Sequence, residues 1–200
     1  MRRIDDIAEL EALYGTPSDA ALRKVAQRLT PAYRRWIEAA RFCVISTVGP
    51  DGTDGTPRGD DGPVVAELDP GTLALPDWRG NNRLDSLRNI VSDGRISLMF
   101  MVSGDNVVVR VNGTAWLTDD AALRERFRRK TMLPATVAVI EIAEIYAQCP
   151  KALLRSGLWG RDDSAATPSL GEILDEMTSG EINAGAWERD YPERARSTLW

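Results

Sequence analysis

Apolar residues recur every three or four positions along the first forty residues, a spacing typical of amphipathic helices. Gly15 ends the first such segment. Thr-Pro pairs at 16–17 and 30–31 each supply a capping residue followed by proline at the first helical position. The helices that this pattern predicts cover residues 4–14, 17–28 and 32–40. No side chain in this region indicates chemistry, so we expect it to form a cap or a contact between subunits.

Beyond residue 41 the pattern changes to short apolar and β-branched runs separated by turn residues. Strands are predicted over residues 42–48, 63–68, 72–75, 95–102, 107–117 and 135–147, and helices over residues 82–92 and 121–129. Gly113 lies inside one of these strands, where glycine typically marks a bulge. Because the strands follow one another as hairpins with few helices between them, we expect a mainly β protein with peripheral helices. This pattern favours an antiparallel barrel over a parallel doubly wound sheet.

The composition shifts once more after Trp159. Residues 161–169 are small and polar, and residues 170–177 have the pattern of a short acidic helix. The four basic and nine acidic residues within 160–200 account for the whole net charge of −5. We therefore expect an N-terminal helical segment, a barrel domain, and an acidic C-terminal helix and tail that ends on Trp200. The expected bounds of these three parts are 1–41, 42–159 and 160–200.

The chain of 200 residues contains no histidine and two cysteines. Ser-His-Asp and Cys-His catalytic units, histidine-containing zinc sites and histidine-ligated haem are therefore excluded. No metal-ligand spacing stands out, and no apolar run approaches the roughly 20 residues of a membrane-spanning helix. The N-terminus also lacks the apolar core of a signal peptide. We expect a soluble cytoplasmic protein that binds no membrane and, without a basic face, no nucleic acid.

Residues 77–89 carry the densest set of candidate functional side chains. This segment follows a strand and is expected to open a helix, whose free backbone N–H groups attract anions. Arg79 and Arg83 flank the expected helix start, and a guanidinium group suits phosphate. Asn81 and Asn82 are expected to cap the helix. The alternative is an ordinary capped helix with surface arginines.

The segment Thr-Pro-Arg-Gly-Asp at 56–60 is a second candidate. It is expected to connect two strands, with Gly59 beside Arg58 so that the backbone can approach a ligand closely. The alternative is a plain turn with a surface ion pair. The adjacent carboxylates Asp60 and Asp61 are expected to diverge and to be solvated.

Residues 149–159 form the third candidate. Lys151 and Arg155 are four positions apart, so a helix would place both on one face, and Trp159 adds a planar surface. Cys149 is expected to be a buried structural cysteine rather than a reactive thiol.

Taken together, these segments resemble the pyridoxamine 5′-phosphate oxidase-like superfamily, in a branch of bacterial flavoproteins of about this length. The likeness runs over 42–159, and its second motif is the most specific. The motifs are Thr-Pro-Arg-Gly-Asp at 56–60, Pro-Asp-x-x-Gly-Asn-x-Arg-Leu-Asp-Ser-Leu-Arg-Asn-Ile at 76–90 and Cys-x-Lys-Ala-x-x-Arg-Ser-x-Leu-Trp at 149–159.

The resemblance implies an FMN-binding split β-barrel and a homodimer with FMN at the subunit interface. Such proteins hold the phosphate near the Arg-Gly element and the Asn-x-Arg helix start, while the third motif reaches the flavin from the partner chain. The residues implied at the cofactor are Arg58, Gly59, Asp77, Arg79, Asn82 and Arg83 on one chain, and Lys151, Arg155 and Trp159 on the other.

The activity that the resemblance implies is that of an FMN-dependent oxidoreductase acting on a small-molecule substrate. Pyridoxamine phosphate itself is not the expected substrate, since the oxidase uses a C-terminal Arg-x-His element over that substrate and this chain has no histidine. Two alternatives stay open. One is a flavin-binding or redox-sensing module without turnover, and the other is a deazaflavin-dependent reductase.

Overall fold

The computed structural model describes residues 1–199, so the expected aromatic end of the chain, Trp200, lies outside the described residues. The helices are α1 Ile7–Tyr14, α2 Asp19–Arg23, α3 Pro31–Ala39, α4 Asp85–Ser92, α5 Ala121–Glu125, α6 Lys151–Ser156, α7 Leu170–Met177 and α8 Ala184–Ser197. The strands are β1 Phe42–Gly49, β2 Gly52–Gly59, β3 Ala66–Asp69, β4 Thr72–Asp77, β5 Arg95–Met101, β6 Val108–Thr118 and β7 Thr136–Gln148. A short 3-10 helix covers Ser164–Ala166.

The seven strands form one sheet in the order β2-β1-β5-β6-β7-β4-β3. Every neighbouring pair is antiparallel. Among residues 1–199 the two outer strands, β2 and β3, do not pair with each other, so the barrel is open. The predicted mainly β fold, a split barrel with peripheral helices, is confirmed.

The sheet curls around an apolar core. In β1 the inward positions alternate, and Cys43, Ile45 and Thr47 are buried while their neighbours are not, as expected for a strand with one face on a core. Arg58 of β2 and Asp77 of β4 form an ion pair, with 3.7 Å between Arg58 Nη2 and Asp77 Oδ1. These strands are five positions apart in the sheet order, so the curl brings the two sides of the sheet together.

The predicted bulge at Gly113 is confirmed, since the register of β6 against β7 shifts between Asn112 and Gly113. The structure also explains why glycine stands there. A Cβ at this position would overlap the backbone carbonyl oxygen of Glu141 on β7.

The second helix is shorter than the expected 17–28, because Ser18 and not Thr16 caps it. The Ser18 hydroxyl accepts a hydrogen bond from Ala21 N at 3.3 Å. The chain then leaves the helix and Ala26 pairs with Ile145 beside β7. Tertiary pairing therefore ends this helix early.

The expectation that 56–60 only connects strands is wrong, because residues 56–59 lie in β2, which pairs with β1 over its full length. Glycine and proline obscured this strand in the sequence. Both are tolerated because β2 is an edge strand, where a missing N–H leaves no inner hydrogen bond unmade.

The C-terminal region contains the expected helix α7 and a second helix, α8, that the sequence pattern did not predict. Pro192 lies inside α8, and a proline in a helical pattern normally argues for a break. Stacking on one face supports the helix: the rings of Trp187 and Tyr191 are 5.5 Å apart, and the Arg194 guanidinium lies 4.3 Å from the Trp187 ring. Within residues 1–199, none of the helices has the length and apolar character needed to cross a membrane.

Candidate ligand-binding site

A large cavity opens beside the loop between β4 and α4. Its volume is about 1470 Å³, which exceeds the roughly 300–1,000 Å³ of most small-molecule sites. Its walls come from β2, from residues 75–88, from the start of β7 and from Leu199. The cavity therefore brings the first two sequence motifs together. The expected cofactor residues in its walls are Arg58, Gly59, Asp77, Arg79, Asn82 and Arg83.

The inner wall of the cavity is apolar and ends on two polar side chains. Val64, Leu75 and Leu117 line this wall. Asp77 on β4 lies opposite Thr136 on β7 in the strand register. The Thr136 Oγ1 atom is buried and has no hydrogen-bond partner among the described residues. Because an unpaired buried hydroxyl is costly, this wall suits a ligand that supplies the missing hydrogen bond.

Arg58 is held in a fixed orientation against Asp77. Its Nη1 donates to Thr56 Oγ1 at 2.9 Å and to Pro57 O at 3.0 Å. Both side chains of the ion pair are largely buried, with 24% of Arg58 and 21% of Asp77 exposed. Burial raises the pKa of Asp77, and the positive charge of Arg58 opposes this shift. The remaining N–H groups of the guanidinium are available to a ligand.

The outer rim of the cavity carries exposed charged and amide side chains. Arg79, Asn82 and Arg83 all line the cavity and are exposed. Arg83 Nε donates to Asp85 Oδ2 at 2.9 Å, whereas within residues 1–199 Arg79 forms no ion pair. Arg88 follows on α4 and also lines the cavity. The rim therefore offers several guanidinium groups to an anion from solvent.

The helix behind this rim begins later than expected, at Asp85 and not at Asn82. Asn82 and Leu84 have left-handed backbones, with φ values of 59° and 61°, which interrupt the helical path. Asn81 does not cap the helix either, since its Oδ1 accepts from Arg83 N at 3.1 Å and so closes a turn within the loop. The motif at 76–90 thus supplies a shaped loop followed by a helix.

Asp60 is not solvated as expected, because only 4% of its side chain is exposed. Its Oδ1 accepts from Arg129 Nη2 at 2.5 Å and from Gly62 N at 3.2 Å, and its Oδ2 accepts from Trp78 Nε1 at 3.2 Å. Burial and a hydrogen bond with Asp61 raise the pKa of Asp60, while its three donors oppose the shift. The carboxylate joins the end of β2, the loop after β4 and the loop before β7.

A further set of polar contacts fastens α4 to the β1–β2 hairpin. Ser86 Oγ donates to Asp54 Oδ2 in the cavity wall, and Asn89 Nδ2 donates to the buried Thr47 Oγ1 at 3.1 Å. Asn89 packs so closely against Gly49 that a Cβ there would overlap its amide group. The loop that carries the rim arginines is therefore anchored at its helical end.

The third motif lies away from this cavity. Lys151 and Arg155 share α6 as predicted, and both are exposed. Trp159 Nε1 donates to Asp105 O at 2.7 Å, which fixes the ring at the β5–β6 turn. Among the described residues, none of the three lines the cavity of its own chain.

The two cysteines differ from each other. Cys149 is exposed, so the expectation of a buried structural cysteine is wrong. The reason is that Cys149 follows the end of β7, in the turn that starts α6. Cys43 is fully buried, and burial raises the pKa of its thiol to about 12, with Arg58 opposing.

The sequence reasoning missed two residues of the cavity wall, Thr136 and Leu199, and it missed Arg129, which binds the wall residue Asp60. The contact from Asp60 to Arg129 spans 69 positions. The expected helix over 121–129 concealed it, because α5 ends at Glu125 and Arg129 lies in the loop that follows. No local pattern marks such contacts. Within residues 1–199, no cluster of three or more potential metal ligands occurs.

The protein is a split barrel, because its seven antiparallel strands form a barrel that stays open between β2 and β3. A cavity with exposed arginines on its rim lies beside this barrel. The family model described as pyridoxamine 5′-phosphate oxidase matches residues 29–149. This match covers more than half of the chain, and the protein belongs to that family.

Solved structures with similar folds include several bacterial proteins. HupZ of Group A Streptococcus is 18% identical, with a TM-score of 0.49 over 60% of this chain and 93% of that one. General Stress Protein 26 of Bacillus anthracis is 18% identical, with a TM-score of 0.43 over 57% and 88%. An FAD binding protein of Mycobacterium smegmatis is 13% identical, with a TM-score of 0.42 over 62% and 97%. The search of curated proteins found no significant match.

Proposed function

We propose that this protein binds FMN in the cavity and acts as an FMN-dependent oxidoreductase on a small molecule. The observation that carries the proposal is the division of one cavity into two parts. An apolar inner wall bears a few buried polar groups, and an exposed rim bears Arg79 and Arg83. A flavin ring suits the first part and a phosphate dianion suits the second. Membership in a family described as an oxidase agrees with this chemistry.

The residues present fit the cofactor. Thr136 Oγ1 is a buried polar atom that lacks a partner within residues 1–199, and Arg58 is oriented with N–H groups to spare. Arg58, Arg79, Asn82 and Arg83 would hold the phosphate beside Gly59, as the resemblance implies, and Asp77 would lie towards the ring. When bound, the flavin would supply hydride or electron transfer, while the protein provides orientation and electrostatics.

The proposal is tested by purifying the protein and recording its absorption spectrum. A flavin spectrum, or micromolar affinity for added FMN, is the expected result. A colourless protein that fails to bind FMN at micromolar concentration would overturn the proposal. A parallel titration uses a deazaflavin cofactor, whose phosphate would suit the same arginine rim. Tighter binding of the deazaflavin than of FMN would favour the alternative, a deazaflavin-dependent reductase.

Replacing Arg83 with alanine is expected to weaken FMN binding by about 1.5–3 kcal/mol, the range for hydrogen bonds to charged groups. Flavin fluorescence titration measures this change. Arg95→Ala is the matched control, because Arg95 is similarly exposed and pairs with an aspartate two residues away, yet does not line the cavity. Equal FMN affinities for the two variants would show that the phosphate lies elsewhere.

We also propose that two chains form a homodimer in which the third motif of one chain reaches the flavin of the other. Lys151 and Arg155 are exposed on α6 and lie outside their own chain's cavity, which is the arrangement that such sharing requires. Arg155→Ala is therefore expected to weaken FMN binding several-fold without unfolding the chain. Sedimentation and FMN titration check this together, with Arg161→Ala as a control on an exposed arginine nearby. A monomer that binds FMN with full affinity contradicts the shared site.

A second candidate function, a flavin-binding module without turnover, is favoured by one observation. The carboxylates of the cavity wall are engaged: Asp60 and Asp61 contact Arg129, Asp77 contacts Arg58, Asp85 contacts Arg83, and Asp54 contacts Ser86. None stands ready as a general acid or base. Consumption of NAD(P)H with rapid reoxidation would favour the enzyme. Tight FMN binding without reduction by any nicotinamide would favour the module.

A further inference from the structure

A second cavity, of about 360 Å³, lies between α3, β3 and the segment that follows α5. Its volume is within the range of small-molecule sites, roughly 300–1,000 Å³, and it shares no lining residue with the larger cavity. Its floor consists of aliphatic side chains that are at most 5% exposed, namely Leu29, Ile37, Val65 and Leu73. Phe127 also lines the cavity. A ligand bound here would therefore bury an apolar group.

Two ion pairs hold the walls of this second cavity in place. Arg34 on α3 donates to Glu67 on β3 through Nε at 2.5 Å and through Nη2 at 2.7 Å. The contact of Arg129 with Asp60 fixes the segment after α5 beside the loop that leads into β3. Because the walls are joined before any ligand binds, little ordering of the protein has to accompany binding.

The charged side chains of the second cavity differ in whether they are paired. Arg34 and Glu67 neutralise each other. Glu38 and Arg126 line the same cavity and are exposed, and in the described part of the chain neither side chain forms an ion pair. A ligand with a single charge would be attracted by one of these two groups and repelled by the other. A neutral zwitterion can pair with both.

We propose that the second cavity binds an α-amino acid with an aliphatic side chain. The α-carboxylate accepts hydrogen bonds from the Arg126 guanidinium, whose planar fork matches two carboxylate oxygens. The α-ammonium group donates to the Glu38 carboxylate, and the aliphatic side chain packs on the apolar floor. The inference does not rest on flavin binding, because the two cavities have separate walls.

The first experiment titrates the full-length protein, without added flavin, by calorimetry with L-leucine and with three compounds that each lack one part of it. Isocaproate lacks the ammonium group, isoamylamine lacks the carboxylate and glycine lacks the side chain. We expect a dissociation constant of about 1 mM or lower for L-leucine, and binding at least about tenfold weaker for the other three. Failure to bind L-leucine at about 10 mM, or equal affinity for isocaproate and L-leucine, would overturn the proposal.

The second experiment assigns the two charged partners. Arg126→Gln is expected to weaken L-leucine binding about fivefold or more, and the exposure of the side chain keeps this loss below that for a buried pair. Glu38→Gln is expected to weaken L-leucine binding similarly but to strengthen isocaproate binding, because the repulsion is removed. A merely structural role of Glu38 would not produce this exchange.

Arg128→Gln is the matched control, since Arg128 is also exposed but pairs with Glu125 and does not line the second cavity. We expect this variant to bind L-leucine with wild-type affinity. Equal L-leucine affinities for Arg126→Gln, Glu38→Gln and the control would show that leucine binds elsewhere on the protein, and the proposed site would be wrong.

Discussion

Replacing Gly113 with alanine is expected to lower the free energy of unfolding by at least about 3 kcal/mol. The added Cβ would overlap the carbonyl oxygen of Glu141 and press on its carbonyl carbon and on Ala143 N. All three are backbone atoms of β7, which cannot rotate aside as a flexible side chain would. The bulge between β6 and β7 would have to open at the centre of the sheet.

Thermal unfolding checks this prediction. For a domain of this length a loss of that size corresponds to a fall in Tm of roughly 6–12 °C. Gly55→Ala is the matched control: Gly55 also lies in a strand, but a Cβ there meets no atom within 4 Å, so we expect a change within about 0.5 kcal/mol. Similar melting temperatures for the two variants would contradict the prediction, since they would mean that the backbone of β7 can move aside at the bulge at little cost in stability.

The second large effect is expected at Asp60. Asp60→Asn replaces one carboxylate oxygen with an NH₂ group, although both oxygens face donors from Arg129, Gly62 and Trp78. One donor then meets another donor in a nearly buried site, and the charge opposite Arg129 is lost. We expect the free energy of unfolding to fall by about 2–3 kcal/mol and FMN affinity to fall as the cavity wall loosens.

Asp61→Asn is the control for this variant. Asp61 contacts the same arginine, with 3.0 Å between Oδ1 and Nη2, but 66% of its side chain is exposed. A solvated ion pair of this kind contributes little to stability. We therefore expect the free energy of unfolding of the control to lie within about 0.5 kcal/mol of the wild-type value. Urea unfolding of both variants measures these free energies. Equal values for Asp60→Asn and Asp61→Asn would show that the buried contacts of Asp60 do not stabilise the fold.

Local pattern was sufficient to predict most of the fold. Strand β1 and the glycine bulge in β6 follow from residues that are neighbours in the sequence, and both were predicted. The family likeness of the motif at 76–90 placed Arg79, Asn82 and Arg83 in one segment, and the structure places all three on one cavity. Their role at a cofactor stays a prediction.

The errors occur where distant parts of the chain decide the local structure. The second helix is short because Ala26 pairs with Ile145. The late start of α4 is a local exception, because Asn82 and Leu84 themselves take left-handed conformations. Asp60 is held by Arg129, which lies 69 positions further along the chain. No window of the sequence contains both partners of such a contact.

The walls of the larger cavity come from segments as far apart along the chain as Asp54 and Leu199, which determines when the cavity can form during synthesis. Strands β1, β2 and β5 emerge well before β7 and α8, so the inner wall lacks Thr136 until β7 has been translated. Contacts between distant segments form slowly, because loop closure must precede them. We therefore expect a ligand of this cavity to bind after the barrel has folded rather than to act as a nucleus for folding.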